Sequence, residues 1–136
     1  MKNLVILGAG TAGTMMANHL VSKLPKKEWK ITIIDQFKTH YYQPGFLFLP
    51  FDIYTTKQVK KNGKKFIPKG VNYIQEKIEL IIPEENKVKL EKGNVLDYDI
   101  LIVATGTKIA PDETEGMNGP EWYKSIFDFY TYEGAK

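Results

Sequence analysis

The 136-residue sequence contains no cysteine and no arginine, and its only histidines are His19 and His40. Without cysteine there is no disulfide framework, thiolate metal site, sulfur nucleophile or redox-active thiol among these residues. Two isolated histidines also argue against a histidine-rich zinc site. All 19 basic residues are lysine, set against 16 acids, and a net charge of +3 spread along the chain is too weak a field for nucleic acid. Long apolar runs are missing as well. The longest, Leu4 to Ala17, is interrupted by Gly8, Gly10 and Gly13 and falls short of the roughly 18–20 apolar residues that a membrane span needs. Repeats and low-complexity tracts are absent. What remains is ordinary for a globular protein: 43% hydrophobic, 26% charged, and the length of one domain.

The opening residues carry the strongest signal. Asn3-Leu-Val-Ile-Leu7 is a continuous apolar run, as expected of a strand buried on both faces of a parallel sheet. It runs into Gly8-Ala9-Gly10-Thr11-Ala12-Gly13. Thr14 to Leu24 then places Met15, Met16, His19, Leu20 and Leu24 at helical spacing, and Pro25 ends the helix. Ile31 to Ile34 is a β-branched second strand that finishes on Asp35, 22 residues after Gly13. In this strand–turn–helix–strand context the glycines acquire separate tasks. Gly8 serves the tight turn, Gly10 lets backbone approach a pyrophosphate, and Gly13 lets the helix pack close to the strand. The helix start, with Thr11 and Ala12, offers unpaired N–H groups to phosphate, and Asp35 is placed to accept from a ribose hydroxyl. An aspartate here repels a 2′-phosphate, and no arginine is available to receive one. NADP is therefore disfavoured, while NAD and FAD stay open.

In the second half, Tyr98 to Ala104 is another apolar strand ending in Thr105-Gly106. Before it, Val71 to Ile82 and Lys87 to Glu91 alternate as extended segments, with turns at Pro83–Asn86 and Lys92–Asn94, which predicts a β-meander in place of a crossover helix. Between the two halves lies His40-Tyr-Tyr-Gln-Pro-Gly-Phe-Leu-Phe-Leu-Pro50, where Pro44-Gly45 suits a type II turn. Tyr41, Tyr42, Phe46, Phe48 and Phe51 need something to pack on, whether core, partner or a flat cofactor. The five lysines between Lys57 and Lys65 read as a solvated loop, with attraction to anionic lipid as the alternative. His40 is read as a hydrogen-bonding structural group, with a flavin proton relay as the alternative.

Taken together, the opening motif, Asp35-Gln36, the His40–Pro50 segment, Ala104-Thr105-Gly106 and Ile126 to Thr131 resemble the amino-terminal part of the sulfide:quinone oxidoreductase family, within the two-dinucleotide-binding flavoproteins. The resemblance implies an α/β, Rossmann-like three-layer FAD/NAD(P)-binding fold with a parallel sheet and a β-meander. It implies FAD as cofactor, with Gln43 and Pro44 beside the isoalloxazine, backbone at Ile78 meeting the adenine, and Ala104-Thr105-Gly106 near the pyrophosphate. It further implies sulfide and quinone as reaction partners, and a cytoplasmic or peripheral membrane location with any membrane-surface association lying in downstream segments. Related openings occur in type II NADH dehydrogenases. The sulfide:quinone oxidoreductase family oxidises sulfide with cysteines beside the flavin, and no cysteine is present here. The expectation is that residues 1–110 form the FAD-binding segment and 111–136 lead out of it. The chain then corresponds to roughly the first third of the enzyme, is inactive alone, and self-associates through the aromatic segment. A free-standing NAD-binding module is the non-enzyme alternative.

Overall fold

Strand β1 (Lys2–Leu7) lies at the centre of a four-stranded parallel sheet, in the order β5-β2-β1-β9, as seen in a computed structural model that describes all residues, Met1–Lys136. Its neighbours are β2 (Trp29–Asp35) on one side and β9 (Ile100–Val103) on the other, with Leu4 opposite Ile31 and Ile100. Strand β5 (Val71–Gln75) completes the sheet beside β2. In order along the chain these strands read 3-2-1-4 across the sheet, so the winding direction reverses between β1 and β9. A crevice at the carboxyl ends of the strands is the usual consequence of such a reversal.

Every residue of β1 from Leu4 to Leu7 is buried because both faces of the sheet are covered. Leu4 and Ile6 point to one face, where they meet Ile31, Ile33 and Ala17 with Met16, Leu20, Val21 and Leu24 of helix α1 (Thr11–Lys23). Val5 and Leu7 point to the other, against Ile34, Val88 and Leu90. That second covering layer is a three-stranded antiparallel meander of β6 (Ile78–Ile82), β7 (Lys87–Leu90) and β8 (Val95–Asp97). The three-layer Rossmann-like expectation holds.

Two expectations about this sheet and its helix are corrected. Val71 to Ile82 does not run as one meander strand, because Val71–Gln75 joins the parallel sheet and only β6 joins the meander. The break is at Glu76, which is buried. Its N–H donates to the Asp35 carbonyl, and its carboxylate accepts from the Lys92 N–H and the Asn94 amide. The helix also starts a turn earlier than its apolar spacing suggests, since Thr14 N–H already donates to the Gly10 carbonyl.

The chain divides into two compact units, the first formed by residues Met1–His40 and Asn62–Gly106. It leaves along β3 (Thr39–Tyr41) and re-enters along β4 (Lys60–Asn62). The second unit comprises Tyr41–Lys61 and Thr107–Lys136. Its core is Phe46, Val59 and Ala135, surrounded by Tyr41, Leu49, Tyr54 and Tyr132. Gln43–Phe51 forms a 3-10 helix instead of a type II turn, and Gly45 lacks the positive φ that such a turn demands. Gly45 is glycine because it is crowded: a Cβ there would meet Val59 and Tyr54 side chains within 2.8 Å. Short helices α2 (Thr56–Val59) and α3 (Tyr132–Ala135) complete the unit.

Asp128 organises the end of this second unit. Burial acts to raise its pKa, but donation from the Thr131 N–H and hydroxyl, the Tyr123 hydroxyl and the Tyr130 N–H outweighs it and holds the carboxyl below its ordinary value. A carboxylate lowered on folding adds stability that is present above the unfolded pKa, near 3.9, and lost as pH falls through the folded value. Near-ultraviolet circular dichroism should therefore show the unit loosening on acidification below about pH 4. Asp128→Asn should flatten that dependence, and an unchanged acid limb would contradict the role given to these donors.

Candidate functional site

The site begins where β1 ends. Gly8 adopts φ +95°, which a side chain strongly disfavours, and a Cβ there would overlap the Ala104 carbonyl. Gly8 N–H donates to the Ile34 carbonyl at 2.7 Å, and Ala104 N–H donates to Leu7 at 2.7 Å, so the ends of β2, β1 and β9 are drawn together. Gly13 is fixed for a different reason: its Cβ would overlap the Gly8 carbonyl. Gly10 has neither constraint. It caps α1 with φ −71°, is exposed, and nothing in the chain lies within 4 Å of where its Cβ would be.

Helix α1 enters this turn with no side-chain cap and no acid in its first turn. The first N–H groups of a helix lack intrahelical acceptors, and here they combine with the positive end of the helix dipole. Thr11 and Ala12, both exposed, carry two of them, an arrangement that can receive an anion, with open space over Gly10 for a close backbone approach. Thr14 turns its hydroxyl back to the Gly10 and Thr11 carbonyls, so it competes for no ligand.

Asp35 ends β2 and points at the turn. One carboxylate oxygen accepts the Ala9 N–H at 2.6 Å, and the other accepts the Phe37 N–H at 2.7 Å. Each oxygen has a second lone pair, so the carboxylate can hold the loop and still accept from a hydroxyl. Gln36 beside it is exposed. Ile78, the first residue of β6, packs its side chain into the second core cluster, two residues beyond the Glu76 amide that bonds Asp35. Thr105 and Gly106 are exposed just past β9, with Gly106 at φ +76°. Gly8, Gly10, Gly13, Asp35 and the Ala104–Gly106 turn thus meet at the carboxyl edge of one sheet. Gln43 and Pro44 belong to the second unit, where the Gln43 amide donates to the Tyr130 carbonyl at 3.2 Å.

Two residues at this edge carry no motif. Tyr73 of β5 donates its hydroxyl to the Phe37 carbonyl, and burial followed by the Asp35 charge pushes its phenol pKa up, so it stays a donor. His40 bonds Ala9 directly. Neither is visible from spacing, because Tyr73 depends on the sheet order and His40 on a contact across 31 residues. A surface recess of about 370 Å³, lined by Thr14, Met15, Asn18 and Lys65 to Pro68, lies along α1 and involves none of the three motif glycines.

A parallel sheet wound 3-2-1-4, a glycine turn opening α1 and an acid ending β2 define a dinucleotide-binding fold, and residues 2–130 match the pyridine nucleotide-disulphide oxidoreductase family. The chain belongs to that family. It is 32% identical over 133 residues to the mitochondrial sulfide:quinone oxidoreductase of Dictyostelium discoideum, covering 98% of this chain and 29% of the relative. It is 33% identical over 129 residues to the type II NADH:quinone oxidoreductase of Staphylococcus haemolyticus, covering 90% and 30% respectively. Among solved structures, the sulfide:quinone oxidoreductase of Aquifex aeolicus superposes with a TM-score of 0.79 at 27% identity, over 99% of this chain and 30% of that one. The chain thus spans about three-tenths of the length of these relatives.

Proposed function

We propose that the chain is the FAD-binding amino-terminal part of a flavin-dependent oxidoreductase that passes electrons from sulfide to quinone. The observation that carries the cofactor assignment is Gly10. Protein atoms force glycine at positions 8 and 13, whereas position 10 has open space and an unstrained backbone, yet is glycine at the mouth of an uncapped helix. A phosphate pressed against the backbone accounts for it. On this reading the Gly8–Gly13 turn, with Thr11 and Ala12, holds the pyrophosphate, and Asp35 with Gln36 holds the adenosine ribose. Backbone at Ile78 faces the adenine, Ala104, Thr105 and Gly106 border the pyrophosphate, and Gln43 and Pro44 accompany the isoalloxazine. Bound FAD would supply a two-electron acceptor and donor. The residues of this chain bind and orient it, while the sulfur chemistry is assigned to cysteines outside these 136 residues.

The sulfide donor is supported by the similarity to sulfide:quinone oxidoreductases over nearly the whole chain. A second reading, NADH as donor, is favoured by the comparable identity to the staphylococcal enzyme. Both relatives carry quinone in their names, and quinone is the proposed acceptor in either case. No helix is long and apolar enough to cross a membrane, which suits attachment at the surface. Self-association through Tyr41–Phe51 is part of the proposal, supported by the exposure of Tyr42, Leu47, Phe48 and Phe51.

The test is titration with FAD followed by flavin fluorescence. Gly10→Leu should weaken binding at least tenfold, about 1.4 kcal/mol, while costing the cofactor-free protein only about 1 kcal/mol or less as a cap change. Undiminished binding by that variant would remove the phosphate role. In the whole enzyme, anaerobic sulfide should bleach the flavin and NADH should not; the reverse result establishes the second reading.

A further inference from the structure

The peptide that carries the Gly10 N–H is gripped from its other side by a histidine. His40 Nδ1 lies 3.1 Å from the Ala9 carbonyl oxygen, and the Ala9 N–H is held by Asp35 at 2.6 Å. The two successive peptides of the turn are therefore each tied to a side chain on another part of the first unit. A trans peptide is planar, with its C=O and N–H pointing in opposite directions. Fixing the Ala9 carbonyl toward His40 consequently fixes the Gly10 N–H away from it, and that N–H has no acceptor within the chain.

The histidine is itself braced. Its ring packs against Phe66 in a tilted arrangement, with centroids 4.5 Å apart and planes inclined by 37°. The Phe66 carbonyl accepts from the Asn18 amide at 2.9 Å, and the same amide bonds the Thr14 carbonyl in α1 at 2.8 Å. The helix that opens at the glycine turn thus holds, through Asn18 and Phe66, the ring that holds the turn. A carbonyl oxygen only accepts, so Nδ1 carries the proton whether the ring is neutral or charged. The bond needs a donor at Nδ1 and does not need a charge.

We infer that His40 is a positioning residue for the dinucleotide: its Nδ1–H sets the orientation of the Ala9–Gly10 peptide and so pre-aims the Gly10 N–H at the phosphate. The inference rests on the cofactor reading above. Its physical basis is that Gly10, with open space around it, leaves the Ala9–Gly10 peptide freer to rotate than a residue with a side chain would. Ligand binding to an unrestrained turn must order it, and the cost appears as lost affinity.

Three variants separate the contributions. His40→Phe keeps an aromatic ring against Phe66 and removes the donor. His40→Asn keeps a donor close to the Nδ1 position and removes the ring. His40→Gln carries its amide one methylene too far. The protein is titrated with ADP and with FAD while the Gly10 and Thr11 amide resonances are followed by nuclear magnetic resonance, and melting temperatures are taken without ligand. The expected result is about tenfold weaker ADP and FAD binding in His40→Phe and His40→Gln, the scale of one lost hydrogen bond with its ordering cost. His40→Asn should stay within about threefold of the parent on the same scale. The Gly10 amide of ligand-free His40→Phe should shift or broaden even where its melting temperature matches the parent. Parent-like ADP binding in His40→Phe, or equal weakening in His40→Asn and His40→Gln, would overturn the positioning role. If His40→Phe fails to fold, the Asn–Gln contrast decides. Absence of ADP and FAD binding in the parent protein would instead overturn the cofactor reading and this inference with it.

Discussion

Replacing Gly13 with alanine should cost the protein about 3 kcal/mol, and replacing it with valine should abolish cooperative unfolding, the upper end of what overpacking does. The added Cβ overlaps the Gly8 carbonyl, a backbone atom. Gly8 cannot retreat, since its N–H is bonded to Ile34 and its own face lies against the Ala104 carbonyl. Relief has to come from α1 moving off the sheet, which opens the contact where Ala17 is fully buried against the Leu4–Ile6 face. Total stability of a domain is only about 5–15 kcal/mol, so the valine variant has little left. Urea denaturation measures it directly. A Gly13→Ala midpoint within experimental error of the parent would show that helix and strand are not packed as tightly as described. Gly10, three residues earlier and in open space, should tolerate the same change.

That contrast marks how far sequence reasoning reached. The strand, glycine turn, helix and terminal Asp35 were legible because each carries its own local chemistry: an apolar run, three glycines, helical spacing and an acid at a set distance. The meander was legible from its turns. What was not legible depended on tertiary contact. Glu76 breaks Val71–Ile82 into strands of two different sheets, and its partners Lys92 and Asn94 lie 16 and 18 residues away. Gly45 looked like a turn residue after Pro44, yet its role is to admit Val59 and Tyr54. His40 was legible as a hydrogen-bonding structural group, but its partner Ala9, 31 residues earlier, and the Phe66 ring beside it depend on tertiary contact.

The second large effect falls on Asp35. Asp35→Ala removes the acceptor for the Ala9 and Phe37 N–H groups, both bonded to a charged carboxylate. Such bonds contribute about 1.5–3 kcal/mol each, and partial exposure brings the expected total loss to about 3 kcal/mol. On the proposed cofactor reading, nucleotide affinity should fall further, by about 100-fold, because the turn is released and the proposed ribose acceptor is lost together. Asp35→Asn separates the two. It retains one oxygen for the loop, so ligand-free stability should recover in part, while ADP affinity should remain low. Parent-like ADP affinity in Asp35→Asn would confine this carboxylate to holding the loop.

The central position of β1 has a consequence for how the chain acquires its structure. Leu4 pairs with Ile31, 27 residues later, but also with Ile100, 96 residues later. At roughly 5–20 residues per second of synthesis, one edge of β1 waits about 5–20 s for its second neighbour to be made. Through that interval the buried apolar run of β1, Leu4 to Leu7, has free backbone groups along one side. Pairings between strands so distant in sequence are intrinsically slow to form. The glycine turn and α1, which close locally beside β2, can be in place well before β9 arrives. The last part of the crevice to assemble is then the Ala104–Gly106 side.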